Sequence, residues 1–348
     1  MTTETMKERY TDIGAGFWDS VIDVLSQGVN SDSSLSLNAK VTPSGRYVAR
    51  ASGAARAPRK SKVAESAINV EGMEGEDAYV RPNGANYFSR KWGMHSDVLT
   101  LRKAREATAS VFSGKEGSPM FALLYGAPGC GKTALVEAAF DDIYTLMGTG
   151  DTEVADMVGG YVQTPSGGFE WIDGDLVKAA ETGGVYFIDE IGLIDPKVLA
   201  LVYGAMDGRR EIVITTNPER GVVKAHENFF VVAATNPNAP GVRLSEALLS
   251  RFTVQAEMTT DWALARKLGV PTLLVTSAQN LYRKQLAREG VSWSPQMREL
   301  LAFRDIAITF GTSFALANLI ASAPENDRAV VADVLSRAFG EEMKPAKI

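Results

Sequence analysis

The stretch that decides the fold is Met120-Phe-Ala-Leu-Leu-Tyr125, followed without a break by Gly126-Ala-Pro-Gly-Cys-Gly-Lys132-Thr133. A short apolar run closed by a glycine predicts a buried strand. The glycines at 126, 129 and 131 allow positive φ and carry no Cβ, so successive backbone N–H groups can converge on an anion. The next residues, Ala134-Leu-Val-Glu-Ala-Ala-Phe140, predict a helix whose N-terminus faces the same point. Strand, glycine loop and helix in this order make a phosphate-binding loop of the Walker A type. Its expected phosphate contacts are Gly126, Ala127, Pro128, Gly129, Cys130, Gly131, Lys132, Thr133 and Ala134. Lys132 would reach the β- and γ-phosphates of a nucleoside triphosphate, and the Thr133 hydroxyl would serve Mg²⁺.

Three further segments follow in an order that gives each a role. Gly184-Val-Tyr-Phe-Ile-Asp189-Glu190 is an apolar β run that ends in two carboxylates, at the strand end where ligands sit in parallel sheets. Adjacent strand residues point to opposite sides, so Asp189 is expected to serve the metal and Glu190 to orient and deprotonate the attacking water. Phe229-Phe-Val-Val-Ala-Ala234 predicts another strand, finishing at Thr235-Asn236-Pro237-Asn238. A neutral amide at Asn236 can hold the lytic water or a phosphate oxygen without competing for the metal. Leu244 to Phe252 predicts a short helix ending at Arg251, a cation that can stabilise transition-state charge in a neighbouring subunit.

Composition narrows the class. The chain has 348 residues, 45% of them apolar, enough for a substantial core. One cysteine, Cys130, excludes an internal disulfide framework and fits a reducing compartment. With two histidines and that single cysteine far apart, no zinc cluster or Ser-His-Asp triad can be assembled. No apolar run is long enough to span a bilayer, and the first residues lack a basic-then-apolar secretory start, so the expectation is a soluble, cytoplasmic protein without membrane contact. The net charge of −6 argues mildly against a surface built wholly for nucleic acid.

Residues 1–75 differ from the rest. Phe17, Trp18, Val21, Ile22, Val24 and Leu25 recur at helical spacing. Residues 29 to 66 are rich in Ser, Ala, Gly and Arg, and Arg50 to Lys62 carries five cations without an acid. The expectation is one helix followed by a mobile basic linker.

Phosphate loop, Asp-Glu strand, Asn strand and Arg-Phe helix end, in this order, resemble the AAA+ ATPases. The narrower likeness is to the MoxR/CbbQ-like, dynein-related branch. It rests on two inserted elements: Tyr161-Val-Gln-Thr-Pro-Ser-Gly-Gly-Phe-Glu-Trp171 onward, similar to the loop that interrupts the second helix in that branch, and a hairpin in which Glu211 to Thr216 and Val222 to His226 flank a turn. The resemblance covers residues 80 to 340, and it departs at Cys130, where the family usually has Thr.

The resemblance implies an α/β fold, a parallel sheet with helices on both faces followed by a small all-helical lid. The expected division is an α/β nucleotide-binding domain over 76–258, with a helix-2 insert at 161–175 and a pre-sensor-1 hairpin at 209–228, then a lid over 259–348. Helical periodicity over Trp262 to Leu268, Leu273 to Arg288, Pro295 to Phe303, Phe310 to Ala323 and Arg328 to Phe339 fits that lid. Ser294-Pro-Gln-Met-Arg298 is similar to the family's second sensor, which makes Arg298 the expected phosphate-reaching arginine, with Arg304 the competing choice. The implied activity is ATP hydrolysis with ATP and Mg²⁺ in a homo-oligomeric ring, hexameric in the family, that remodels or activates a protein client, in the family often with a partner bearing a von Willebrand A domain. The alternative is a nucleic-acid-directed motor or a restriction or defence ATPase, for which the basic linker and Arg209, Arg210, Arg220 and Lys224 speak. A scaffold that uses nucleotide only as a switch is disfavoured by Glu190 and Arg251.

Overall fold

Five parallel strands carry the structure, and their order explains where the chemistry gathers. The computed structural model describes residues 36–41, 47–52, 78–340 and 342–346. The chain divides into two units, Met1–Lys60 and Ser61–Ile348. In the first, β1 (Ser36–Val41) and β2 (Tyr47–Ser52) pair antiparallel, Ser36 with Ser52 and Val41 with Tyr47. This hairpin lies inside the stretch expected to be a linker. Leu37, Ala39 and Val41 alternate with polar residues in the sequence, so local strand pattern outweighs low bulk hydrophobicity. The helix expected around Phe17 to Leu25, and most of the basic run, lie outside the described residues.

The second unit opens with two small antiparallel pairs, β3 (Ala78–Val80) with β4 (Asn86–Phe88) and β5 (Lys91–Trp92) with β6 (His95–Ser96). Helix α1 (Asp97–Phe112) follows, started by the Ser96 side chain accepting the Leu99 N–H and burying Val98, Leu101 and Ala104.

Strands and helices then alternate. They are β7 (Ala122–Tyr125), α2 (Lys132–Ala139), β8 (Ile143–Met147), α3 (Val154–Val158), the hairpin β9 (Gly159–Gln163) and β10 (Phe169–Asp173), and α4 (Asp175–Thr182). After these come β11 (Val185–Asp189), α5 (Pro196–Met206), the hairpin β12 (Glu211–Val213) and β13 (Val222–Lys224), β14 (Phe230–Thr235), the one-turn α6 (Glu246–Leu249) and β15 (Val254–Glu257).

The sheet order is β15-β7-β14-β11-β8, parallel at each pairing. Every residue of β11 and β14 is buried, as a parallel sheet covered by helices requires. The expected α/β class is the observed one. Between α3 and α4 the chain forms the hairpin β9–β10, with the Thr164 N–H donating to the Gly168 carbonyl.

After β15 the chain is helical: α7 (Trp262–Lys267), α8 (Thr272–Leu286), α9 (Met297–Phe310), α10 (Thr312–Ser322) and α11 (Arg328–Phe339). These helices bury their own cluster, including Leu274, Leu281, Phe303, Leu316, Ile320 and Leu335, separate from the core around the sheet. No helix among the described residues is long and apolar enough to cross a membrane.

Candidate functional site

Because β7, β14 and β11 are neighbours and parallel, their carboxyl ends share one edge of the sheet. The loop after β7 starts with Gly126, whose N–H donates to the Thr235 carbonyl at the end of β14 over 3.1 Å. Gly126 has φ of 155°, and a Cβ there would lie 2.1 Å from the Met258 carbonyl oxygen. Gly129 at φ 80° meets the helical region, where a Cβ would lie 2.9 Å from that of Arg298. Gly131 at φ 101° is the N-cap of α2 and supplies no side chain, so the helix start presents backbone N–H groups. Lys132 is buried, and its ammonium donates to the Gly126 and Ala127 carbonyls at 2.8 and 3.1 Å. It therefore lies folded over the loop it would deliver to a phosphate.

The carboxylates complete the edge. Thr133 Oγ1 donates to Asp189 Oδ2 at 2.9 Å, while Asp189 Oδ1 accepts the Glu190 N–H at 3.1 Å. A hydroxyl and a buried carboxylate side by side form an all-oxygen donor pair, which fits a Mg²⁺ ion that takes its remaining ligands from phosphates and water. Glu190 sits at φ 54°, in the left-handed region that a glutamate rarely adopts. That turn out of β11 swings its carboxylate across to β14, where Oε2 accepts the Asn236 N–H at 3.2 Å. Asn236 Oδ1 accepts the Asn238 N–H at 3.2 Å, so the side-chain oxygen serves its own turn and the NH₂ end is the one suited to a phosphate oxygen or water. The structure thus brings together Lys132, Thr133, Asp189, Glu190 and Asn236.

Two arginines are positioned differently. Arg298 belongs to the first turn of α9, and its N–H donates to the Gly129 carbonyl at 3.2 Å, so it stands beside the glycine loop. Arg304 bonds the Leu268 carbonyl at 2.7 Å and pairs with Asp305, which ties it into the helical region. Arg251, just past α6, donates to the Ala247 carbonyl at 2.6 Å and stacks 4.2 Å over the Tyr203 ring of α5. Its contacts are with α5 and α6 rather than with the glycine loop. Burial raises the Tyr203 hydroxyl pKa, against the opposing pull of Arg251.

Beside the loop lies a cavity of about 1010 Å³, walled by Arg90, Trp92, Met94, Leu135, Glu257 and Met258. It offers both apolar faces and polar groups. Sequence reading missed the half-buried Arg90 and the buried Tyr87 and Asp97 that hold it beside this cavity. Ser96-Asp97 reads as an ordinary helix start, and nothing local links Arg90 to a loop 40 residues away. Among the described residues no cluster of three or more His, Cys, Asp or Glu could hold a metal.

Residues 122–252 match the family model described as the AAA domain, dynein-related subfamily. This segment is similar to that family's domain. An uncharacterized protein of Staphylococcus epidermidis is 27% identical over 236 residues, which are 64% of this chain and 86% of that protein. An uncharacterized protein of Staphylococcus aureus strain USA300 is 35% identical over 142 residues, 38% of this chain and 53% of that protein. The chain spans about half the length of the S. aureus relatives it matches. The crystal structure of NtrX from Brucella abortus in complex with ADP is similar at a TM-score of 0.35 with 14% identity, covering 74% of this chain and 53% of that one. The matched segment holds the whole edge from the glycine loop to Arg251, while Arg90 and Arg298 reach it from outside the matched residues.

Proposed function

We propose that the protein hydrolyses ATP with Mg²⁺ in a homo-oligomeric ring, hexameric as in MoxR-like members of the family, and uses the cycle to remodel or activate a partner protein. The observation that carries this reading is the Thr133–Asp189 bond with Glu190 and Asn236 on the adjoining strand ends. Metal ligands, water-orienting carboxylate and phosphate cradle then surround one γ-phosphate, which is the positioning that phosphoryl transfer requires. Arg251, stacked on Tyr203 and bonded to the Ala247 carbonyl, would serve a neighbour's nucleotide, and Arg298 would reach its own.

A polypeptide client is favoured over nucleic acid by the two hairpins. Tyr161, Val162, Phe169 and Ile172 of β9 and β10 are exposed, with Phe169 at 71%. The arginines around the second hairpin are already partnered: Arg209 with Asp207, Arg210 with the Phe112 and Ala225 carbonyls, and Arg220 with Asp173 and Glu181. Pairing of this kind leaves little free positive charge for a phosphate backbone.

The test is ATP turnover by wild type and Glu190→Gln, with DNA, RNA or neither present. Magnesium-dependent turnover that Glu190→Gln abolishes while still binding ATP, indifferent to nucleic acid, supports the remodelling reading. Strong salt-sensitive stimulation by DNA or RNA would replace it with a nucleic-acid motor, and unchanged turnover in Glu190→Gln would overturn the assigned chemistry.

A further inference from the structure

Arg90 is where the β4–β5 segment, the glycine loop and the helical region meet. Its guanidinium is held from behind by a buried pair. The Tyr87 hydroxyl accepts from Nε and Nη2 at 3.3 and 3.2 Å, and donates in turn to Asp97 Oδ2, which lies 3.5 Å from Arg90 Nε. The main chains lock as well: Asp97 Oδ1 accepts the Arg90 N–H at 3.0 Å, and the Asp97 N–H donates to the Arg90 carbonyl at 2.8 Å. Tyr87 and Asp97 are 7% and 5% exposed, so this support is fixed by packing.

What remains for contact is Nη1, and it donates to two main-chain carbonyls, Cys130 at 3.3 Å and Thr259 at 3.0 Å. Cys130 lies in the glycine loop, whereas Thr259 lies where β15 gives way to α7. The next residue, Thr260, is buried. Its hydroxyl donates to Gln296 Oε1 at 2.8 Å and accepts the Met297 N–H at 3.2 Å. From there Arg298 returns to the loop through its N–H bond to Gly129. Two consecutive loop carbonyls are thus gripped, Gly129 from α9 and Cys130 from Arg90, and the two grips join through Thr259, Thr260 and Gln296.

Consequences follow from the rigid peptide plane. The Cys130 carbonyl and the Gly131 N–H belong to one trans peptide and point in opposite directions. Holding the oxygen on the Arg90 side therefore aims the Gly131 N–H away from Arg90, toward the phosphate side of the loop. We propose that Arg90 is a positioning residue for nucleotide: it presets the Gly131 N–H for a phosphate and locks the helical region to the loop in the orientation that bound nucleotide needs. This rests on the nucleotide reading above. Only a guanidinium can do it, because its fork of five N–H donors serves Tyr87, Cys130 and Thr259 together, whereas a lysine ammonium is a single point.

The test is calorimetric binding of ADP to wild type, Arg90→Ala, Arg90→Lys and Tyr87→Phe, with hydrogen exchange of the Met297–Leu301 amides measured with and without ADP. Wild type is expected to bind ADP and to gain protection across that turn. Arg90→Ala and Arg90→Lys are expected to bind about tenfold more weakly and to lose the ADP-dependent protection, with Tyr87→Phe in between. A merely structural role would lower the melting temperature and leave affinity and protection unchanged. Should Arg90→Ala fail to fold, Arg90→Lys and Tyr87→Phe still decide. Wild-type affinity and protection in Arg90→Lys would overturn the inference. Absence of ADP binding by wild type would overturn the nucleotide reading, and this inference with it.

Discussion

Thr133 Oγ1 and Asp189 Oδ2 are joined by a 2.9 Å hydrogen bond between residues 56 apart in the chain. One belongs to the first turn of α2 and the other ends β11, and β14 lies between β7 and β11 in the sheet. The bond therefore crosses over the end of β14 and closes the edge on which Glu190 and Asn236 meet.

Asp189→Asn keeps the shape of that contact and removes the charge. Magnesium-dependent ATP turnover is expected to fall by at least about a hundredfold, the cost of losing a preorganised electrostatic group. Turnover as a function of Mg²⁺ concentration checks this, and a variant with the wild-type metal dependence would exclude Asp189 as a ligand.

Arg251 and Glu190 are expected to act in different subunits of one ring. Arg251→Ala alone should lose about a thousandfold or more in turnover, in the range of arginine fingers, and Glu190→Gln alone should be comparably inactive. Mixed, the two should recover measurable activity, since an intact Glu190 would then face an intact Arg251 across some interfaces. Tyr203→Ala should reproduce part of the Arg251→Ala defect by removing the ring on which the guanidinium stacks at 4.2 Å. No recovery on mixing, with rings retained, would remove the shared-site mechanism.

Arg220 bridges the two hairpins, bonding both Asp173 oxygens at the end of β10 and Glu181 of α4. Hydrogen bonding from Arg220, assisted by the Trp171 indole N–H, lowers the Asp173 pKa below its usual value. A depressed carboxylate contributes stability that is complete above its unfolded value, about 3.9, and that is lost as pH falls through the lower native one. The melting-temperature difference between wild type and Arg220→Ala is thus expected to be steady from about pH 8 to 5 and to shrink below about pH 4. A difference that persists unchanged in acid would assign the effect to packing of the arginine stem.

Gly126→Ala places a methyl where the Met258 carbonyl oxygen would lie 2.1 Å away, at a φ of 155°. The expected cost is at least about 2 kcal/mol from strain and clash, with loss of ADP binding. Gly114→Ala, at φ 99° with nothing within 4 Å, is the control for positive φ alone and should cost about 1 kcal/mol or less. Chemical denaturation of both variants separates the two effects.

What the sequence determined by itself is what short-range chemistry dictates. The glycine loop between Tyr125 and Lys132, the all-buried β11 and β14, and the helical periodicity after Asp261 are each encoded within a dozen neighbouring residues, and they suffice for the α/β class and for most of the candidate residues. Tertiary structure alone decided which of these residues meet. The order β15-β7-β14-β11-β8 sets Asp189 against Thr133 and Glu190 against Asn236, and no local pattern contains a strand order. It also separated Arg298, gripping Gly129, from Arg304, bonded to Leu268, although both lie on α9. Arg90 was the least legible, because its partners Cys130 and Thr259 are 40 and 169 residues away and are backbone carbonyls, which every residue type provides.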